Sequence, residues 1–165
     1  MIKKDLTILA VDDSEEDLQL IQTYLKKNPH YQFSIITASN GTEGLNLFAR
    51  HKAEIDCILL DQNLPDMQGI DILTLINNEE HSIPTIMLTG LGNYNTDVLA
   101  LEKGAADYIN KEYVTFLTLE RAICYAIEKQ SIINKLKAAN KAKENFLRII
   151  AHDMRSPVGG ILGFA

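Results

Sequence analysis

Acidic, hydroxyl and basic residues follow short apolar runs of this sequence, and their types suit phosphoryl chemistry. They are Asp12, Asp13, Asp61, Thr89 and Lys111. Clustered carboxylates repel one another and need a cation, and Mg²⁺ favours a few carboxylates together with water and phosphate oxygens. With Mg²⁺ and the lysine neutralising an incoming anion, one carboxylate can attack a phosphoryl group while the threonine donates to its oxygens. One such aspartate alone would indicate only an acidic surface loop, whereas the joint pattern predicts a catalytic site.

The apolar runs alternate with helical patterns, and this alternation predicts how the residues meet. The predicted strands are Leu6–Val11, Phe33–Ala38, Cys57–Leu60, Thr85–Leu88 and Asp107–Ile109. Helices are predicted after the Ser14 cap, over Thr42–Lys52, near Ile70–Asn77, near Asp97–Lys103 and from Phe116. Strands that alternate with helices imply a parallel sheet covered on both faces. We therefore expect a five-stranded, doubly wound α/β domain whose functional loops follow the carboxyl ends of the strands.

Composition and charge exclude several classes of protein. The chain has 165 residues, of which 46% are hydrophobic and 23% charged, as in ordinary globular proteins. No apolar run reaches the roughly 18 residues needed to span a bilayer, so we expect no membrane association. Two cysteines without a metal-site or disulfide pattern suit a reducing cytoplasm. The net charge of −6 argues against nucleic-acid binding, which needs clustered basic residues.

The last part of the chain differs from the rest. Six of the 16 basic residues but only two of the 22 acidic residues lie beyond Gln130. From Phe116 to Pro157 no strand or turn signal interrupts a single helical pattern, and apolar residues recur near heptad spacing at Leu119, Ile123, Ala126, Ile133, Leu147 and Met154. Polar residues weaken this stripe at Gln130, Lys137 and Asn140. We expect a long coiled-coil helix that forms a parallel homodimer, because one small domain cannot cover it.

Residues 5 to about 130 resemble the receiver domain of two-component response regulators. The motifs are Val11-Asp12-Asp13-Ser14, Ala38-Ser39-Asn40-Gly41, Ile58–Asp61 followed by Leu64–Gly69, Ile83–Thr89 and Gly104–Lys111. The resemblance implies a flavodoxin-like fold and a phosphodonor histidine kinase or phosphotransfer protein as partner. The family usually has a proline after the lysine, often with a cis bond, but Glu112 stands here. We expect a trans bond, since a cis bond before Glu112 would cost roughly 2.5 to 4 kcal/mol.

The same resemblance assigns roles to individual residues. It implies that Asp61 is the phosphoacceptor and that Asp12, Asp13 and Asp61 hold the metal with the backbone carbonyl of Asn63. Thr89 and Lys111 would bind the phosphoryl group. Tyr108 would be the aromatic switch that moves with Thr89, although a tyrosine on a strand is more commonly a half-buried packing residue.

The tail resembles the phosphoacceptor box of histidine kinases over Phe146–Pro157. The chemistry needs an exposed imidazole as nucleophile, an adjacent acid and a proline that bends the helix, and His152, Asp153 and Pro157 fit these roles. The predicted organisation is a receiver core over 1–115, a last receiver helix that continues into a signalling coiled-coil helix over 116–143, and an incomplete phosphoacceptor helix over 144–165. We expect a piece of a longer kinase, because no helix stop follows Ile161.

Two other functions compete with a receiver that regulates a kinase. In the first, the chain is an interaction module whose tail only dimerises, and His152 is incidental. In the second, the same fold binds a flavin or nucleotide, which requires a first loop rich in glycine or hydroxyl groups. The acidic run Asp12–Glu16 would repel a phosphate and makes this alternative the weakest.

Overall fold

The computed structural model describes residues 4–77, 82–90 and 94–163, with side chains described up to Arg155. Its elements are β1 (Lys4–Val11), α1 (Glu15–Lys26), β2 (Tyr31–Ala38), α2 (Gly41–His51), β3 (Cys57–Asp61), α3 (Gly69–Asn77), β4 (Thr85–Thr89), α4 (Tyr94–Glu102), β5 (Asp107–Asn110) and α5 (Phe116–Gly163). A 3-10 helix, Lys111–Tyr113, joins β5 to α5. The predicted order of strands and helices is confirmed. The main difference is that α4 begins at Tyr94, before the predicted Asp97.

The five strands form one parallel sheet in the order β2-β1-β3-β4-β5. The register pairs Val11 with Leu60, Asp61 with Leu88, and Thr89 with Asn110. The carboxyl ends of β1, β3, β4 and β5 are therefore neighbours along one edge. This arrangement positions the candidate site.

Alternate residues of the strands build two separate cores. On β1, Leu6, Ile8 and Ala10 belong to one core and Leu9 and Val11 to the other, as the two-residue period of a strand requires. The first core is covered by α1 and the first turns of α5, through Ile21, Leu25, Leu119, Ala122, Ile123 and Ala126. The second is covered by α2, α3 and α4, through Phe48, Ile72, Leu73, Ile76 and Ala100. The predicted doubly wound, flavodoxin-like fold is confirmed.

Helix ends follow local rules. The Ser14 hydroxyl accepts a hydrogen bond from the Asp17 N–H at 3.2 Å, and the Asn40 side chain accepts from the Glu43 N–H at 2.8 Å. Both are N-caps of the usual kind. Gly104 follows α4 with a φ of 98°, the left-handed conformation that glycine supplies after a helix.

The helix α5 belongs to two compact units, residues 1–130 and 131–165. Within the first unit, Leu119 and Ile123 are fully buried against the sheet. The first members of the predicted heptad stripe are thus core residues, and the expectation that they face a partner helix is wrong. Within the second unit, apolar side chains are exposed, among them Ile132, Leu136, Phe146, Leu147 and Met154. No helix in the described ranges has both the length and the apolar character needed to cross a bilayer.

Candidate functional site

Three carboxylates meet at the carboxyl edge of the sheet. Asp12 follows β1, and Asp61 is the last residue of β3. One oxygen each from Asp12, Asp13 and Asp61 lies within 4.8 Å of the others. Asp12 and Asp61 are buried and Asp13 is exposed. Such a set fits a hard divalent cation such as Mg²⁺, because oxygen ligands are what it prefers and a cation offsets the repulsion among buried carboxylates.

Lys111 supplies the positive charge of the site. Its ammonium nitrogen lies 2.6 Å from Asp12 Oδ2, 3.0 Å from Asp17 Oδ2 and 3.2 Å from Asp61 Oδ1. The Lys111–Glu112 peptide bond is trans, as expected. The 3-10 helix that starts at Lys111 brings the side chain to the carboxylates without a proline at position 112.

The electrostatics of the cluster oppose full ionisation of Asp61. Burial and then the charge of Asp12 raise the pKa of Asp61, while Lys111 and the backbone N–H of Asn63 lower it without cancelling the rise. Burial by itself would lower the pKa of Lys111, but hydrogen bonds and charge from its three acidic partners raise it above its usual value. Lys111 is therefore a fixed positive charge beside a carboxylate that needs further positive charge.

Hydrogen bonds hold the loop after β3 in place at its two ends and in its middle. The Gly69 N–H donates to the Gln62 carbonyl at 2.8 Å, and a Cβ on Gly69 would collide with the backbone carbonyl of Asp61. In the middle of the loop, the Asp66 carboxylate accepts hydrogen bonds from the Gly41 and Thr42 N–H groups at the start of α2. These contacts fix the segment that contains Asn63.

Comparison with known proteins decides the family. A family model described as the response regulator receiver domain matches residues 8–123. The chain belongs to the response regulator receiver family. Receiver domains of this family accept a phosphoryl group on an aspartate and use Mg²⁺.

Individual relatives show how far this receiver resembles others. The chain is 40% identical over 106 residues to the transcriptional regulatory protein SrrA of Staphylococcus aureus, with 64% of this chain and 42% of that protein covered. It is 26% identical over 197 residues to hybrid signal transduction histidine kinase D of Dictyostelium discoideum, with 95% and 12% covered. A response regulator receiver domain protein of Clostridium thermocellum superposes with a TM-score of 0.69 at 33% identity, covering 78% and 98%. The chain spans less than half the length of the two curated relatives.

Thr89 and Tyr108 lie on neighbouring strands of the receiver. Thr89 ends β4 and is buried, and its hydroxyl has no hydrogen-bond partner among the described residues. Tyr108, on β5, pairs with Met87 and is exposed on the surface. With 37% of the residue exposed, Tyr108 fits both the half-buried packing role and the switch role, and the switch role stays a prediction.

His152 and Asp153 belong to the second unit. Their side chains are 84% and 76% exposed, and His152 Nδ1 lies 3.6 Å from Asp153 Oδ1. The imidazole is therefore accessible and has an acid beside it. The side chain of Pro157 lies outside the described residues.

Sequence reasoning missed two contacts of the receiver site. Asp17 lies three residues after the Ser14 cap, and its carboxylate binds Lys111. Asp66 lies in the loop after β3, and its carboxylate binds the start of α2. Both contacts join residues far apart in sequence, and no local sequence pattern predicts them.

Proposed function

We propose that this receiver accepts a phosphoryl group on Asp61, with Mg²⁺ held by Asp12, Asp13, Asp61 and the backbone carbonyl of Asn63. The observation that carries the proposal is the meeting of the Lys111 ammonium with the buried carboxylates of Asp12 and Asp61 at the end of adjoining strands. When bound, Mg²⁺ supplies positive charge against the phosphoryl oxygens. The phosphodonor is a histidine kinase or phosphotransfer protein.

Each part of the proposed phosphoryl transfer is carried out by a different residue of the chain. A carboxylate oxygen of Asp61 forms the bond to phosphorus as the bond to the donor's leaving group breaks, which gives an acyl phosphate. Lys111 donates to a phosphoryl oxygen, and its raised pKa keeps it charged. The buried Thr89 hydroxyl, which has no partner among the described residues, donates to another. Through Thr89 and Tyr108, the added charge changes the surface around β5.

Labelling from a small acyl phosphate donor tests the assignment of Asp61. Intact-mass measurement is expected to show one added phosphoryl group in the presence of Mg²⁺ and none in chelator. Asp61→Asn is expected to abolish the addition, whereas Asp71→Asn, which removes an exposed carboxylate of α3, is expected to retain it. Labelling that survives Asp61→Asn, or that proceeds equally in chelator, contradicts the proposal.

The second unit is the start of a histidine kinase phosphoacceptor helix, with His152 as the phosphoacceptor and Asp153 as its orienting acid. Two observations support this step: the exposed His152–Asp153 pair, and the similarity over 95% of the chain to a protein named as a hybrid histidine kinase. The whole molecule would be a cytoplasmic kinase with this receiver at its amino-terminal side. Phosphorylation of Asp61 would then change the reactivity of His152.

A parallel homodimer through the second unit would cover its exposed apolar residues. Leu136, Phe146, Leu147 and Met154 are each more than half exposed, more apolar area than a lone helix normally leaves in water. Light scattering of residues 1–165 and 1–130 tests this. The longer chain is expected to be dimeric at high micromolar concentration and the shorter one monomeric, and a monomer for both contradicts the proposal.

Phosphorylation assays on residues 1–165 test whether His152 accepts a phosphoryl group. ATP alone is expected to label nothing, and addition of the ATP-binding portion of the parent kinase is expected to label His152 but not a His152→Ala variant. His51→Ala, which changes another accessible histidine, is the control that keeps the label. Failure of His152 to accept phosphate would favour the alternative in which the tail only dimerises.

A further inference from the structure

Lys111 forms ion pairs with three carboxylates, and only two of them belong to the proposed metal site. Asp12 and Asp61 are metal-site residues, and their side chains are 1% and 6% exposed. Asp17 is on α1, is not in the metal cluster, and its side chain is 38% exposed. Lys111 donates a hydrogen bond to Asp17 Oδ2 at 3.0 Å, in addition to its ion pairs with Asp12 and Asp61. Asp17 is therefore the partner of Lys111 that a bound cation does not need.

Local hydrogen bonding leaves the Asp17 carboxylate available for this contact. In a capping box, a Glu or Gln three residues after a serine cap turns back to the N–H of the cap residue. Here that N–H, of Ser14, donates instead to Asp12 Oδ1 at 2.9 Å. The backbone N–H of Asp17 is held by the Ser14 hydroxyl, and its carboxylate is directed to Lys111.

We propose that Asp17 is a positioning residue that holds the Lys111 ammonium toward α1 and so reduces its competition with Mg²⁺ for the carboxylates of Asp12 and Asp61. The inference rests on the metal site of the proposed function and goes beyond it, because it assigns a role to a residue outside that site.

Two cations that need the same carboxylates exclude each other in part. Lys111 already lies 2.6 Å from Asp12 Oδ2 and 3.2 Å from Asp61 Oδ1, so its ammonium occupies space and lone pairs that Mg²⁺ requires. For Mg²⁺ to bind, the Lys111 ammonium must therefore move away from Asp12 and Asp61. A carboxylate outside the metal cluster can bind the ammonium in its new position while both metal ligands stay free for Mg²⁺.

Mg²⁺ affinity, measured by calorimetry on residues 1–165 without any phosphodonor, tests the proposal. Asp17→Asn is expected to weaken Mg²⁺ binding by roughly three- to tenfold, the effect of breaking a coupled contact. Glu16→Gln removes the same charge from the neighbouring, exposed position of α1 and is expected to change the affinity by less than about twofold, the small effect of a solvated surface charge. Asp17→Glu, which keeps the charge, is expected to recover most of the affinity.

A double-mutant cycle separates positioning from simple charge. In a Lys111→Met background no ammonium competes, so Asp17→Asn is expected to have only the small effect of Glu16→Gln. Equal losses from Asp17→Asn in both backgrounds would overturn the proposal. If Lys111→Met does not fold, the Mg²⁺ affinities of Asp17→Asn and Glu16→Gln are compared instead. Equal losses of affinity in these two variants would overturn the proposal.

The result also distinguishes this inference from the proposed function. A wild-type chain that binds no Mg²⁺ contradicts the metal site itself and removes the inference with it. A wild-type chain that binds Mg²⁺, together with an Asp17→Asn variant that binds equally well, contradicts only the role of Asp17.

Discussion

The carboxylate of Asp66 accepts two hydrogen bonds from Thr42, one from its backbone N–H at 2.8 Å and one from its hydroxyl at 2.7 Å. A third comes from the Gly41 N–H at 2.8 Å. The loop after β3 is thereby tied to the first turn of α2, whose unpaired N–H groups and dipole favour a negative charge. The hydrogen bond from the Thr42 hydroxyl, followed by those from the two N–H groups, lowers the pKa of Asp66 from 3.8 to about 2.

This lowered pKa predicts a pH dependence of stability. A carboxylate whose pKa is lower in the folded state stabilises that state above its unfolded pKa and loses the effect as pH falls through the folded pKa. Wild type is expected to exceed Asp66→Asn in free energy of unfolding above about pH 4, and the difference is expected to shrink toward pH 2. Urea unfolding from pH 2 to 6 measures it. Parallel curves for the two proteins would show that these hydrogen bonds do not form in solution.

Gly69 is expected to tolerate no side chain. An added Cβ would meet the backbone carbonyl of Asp61, and a backbone atom cannot move aside as a side chain can. Gly69→Ala is expected to lower the free energy of unfolding by about 1–3 kcal/mol and to weaken Mg²⁺ binding, because Asp61 must shift. Gly90→Ala is the control, since a Cβ there meets no atom of the described residues within 4 Å. Equal stability of both variants, measured by urea unfolding, would rule out the close approach at Gly69.

Removal of the Thr89 hydroxyl is expected to slow phosphoryl uptake without a large loss of stability. Its buried hydroxyl has no partner among the described residues, so Thr89→Val gives up no described hydrogen bond. The free energy of unfolding is expected to stay within about 1 kcal/mol or to rise, while phosphoryl uptake slows. Thr89→Ser, which keeps the hydroxyl, is expected to retain uptake. Paired measurements of unfolding and of labelling rate check this, and normal uptake by the valine variant would exclude a phosphoryl contact.

Leu119 is expected to behave as a core residue of the receiver. It is fully buried against the sheet, so Leu119→Ala is expected to cost about 2–5 kcal/mol of unfolding free energy. Leu117 lies on the same turn of α5 but is 48% exposed, and Leu117→Ala is expected to change stability by no more than about 0.5 kcal/mol. Chemical unfolding of the two variants compares them directly. A mild effect at Leu119 would indicate that α5 does not pack on the sheet.

The positions of Asp12, Asp61, Thr89 and Lys111 were predictable because two simple regularities combine. Short apolar runs show where strands lie, and parallel connection brings the carboxyl ends of those strands to one edge. These four residues needed no further tertiary information, since each follows its predicted strand directly or within two residues. The same reasoning placed helices on both faces of the sheet.

Contacts that depend on how elements approach one another were not predictable. The local sequence around Asp17 satisfies the pattern of a helix cap, and only the approach of Lys111 to α1 gives its carboxylate another partner. The stripe of Leu119 and Ile123 fits a coiled coil and a helix packed on a sheet equally well, because repeats of 3.5 and 3.6 residues hardly diverge over two turns. Burial against the sheet distinguishes them, and burial is a property of the fold.

Because the first turns of α5 complete the receiver core, the receiver ends inside a helix and not in a loop. Chimeras that exchange receivers between proteins by cutting at residue 115 would discard Leu119 and Ile123 and leave that face of the sheet covered by α1 alone. The transferable module extends to Gln130. Fusion of this receiver to another domain therefore has to be made within continuous helical sequence, where the joined segment must itself favour a helix.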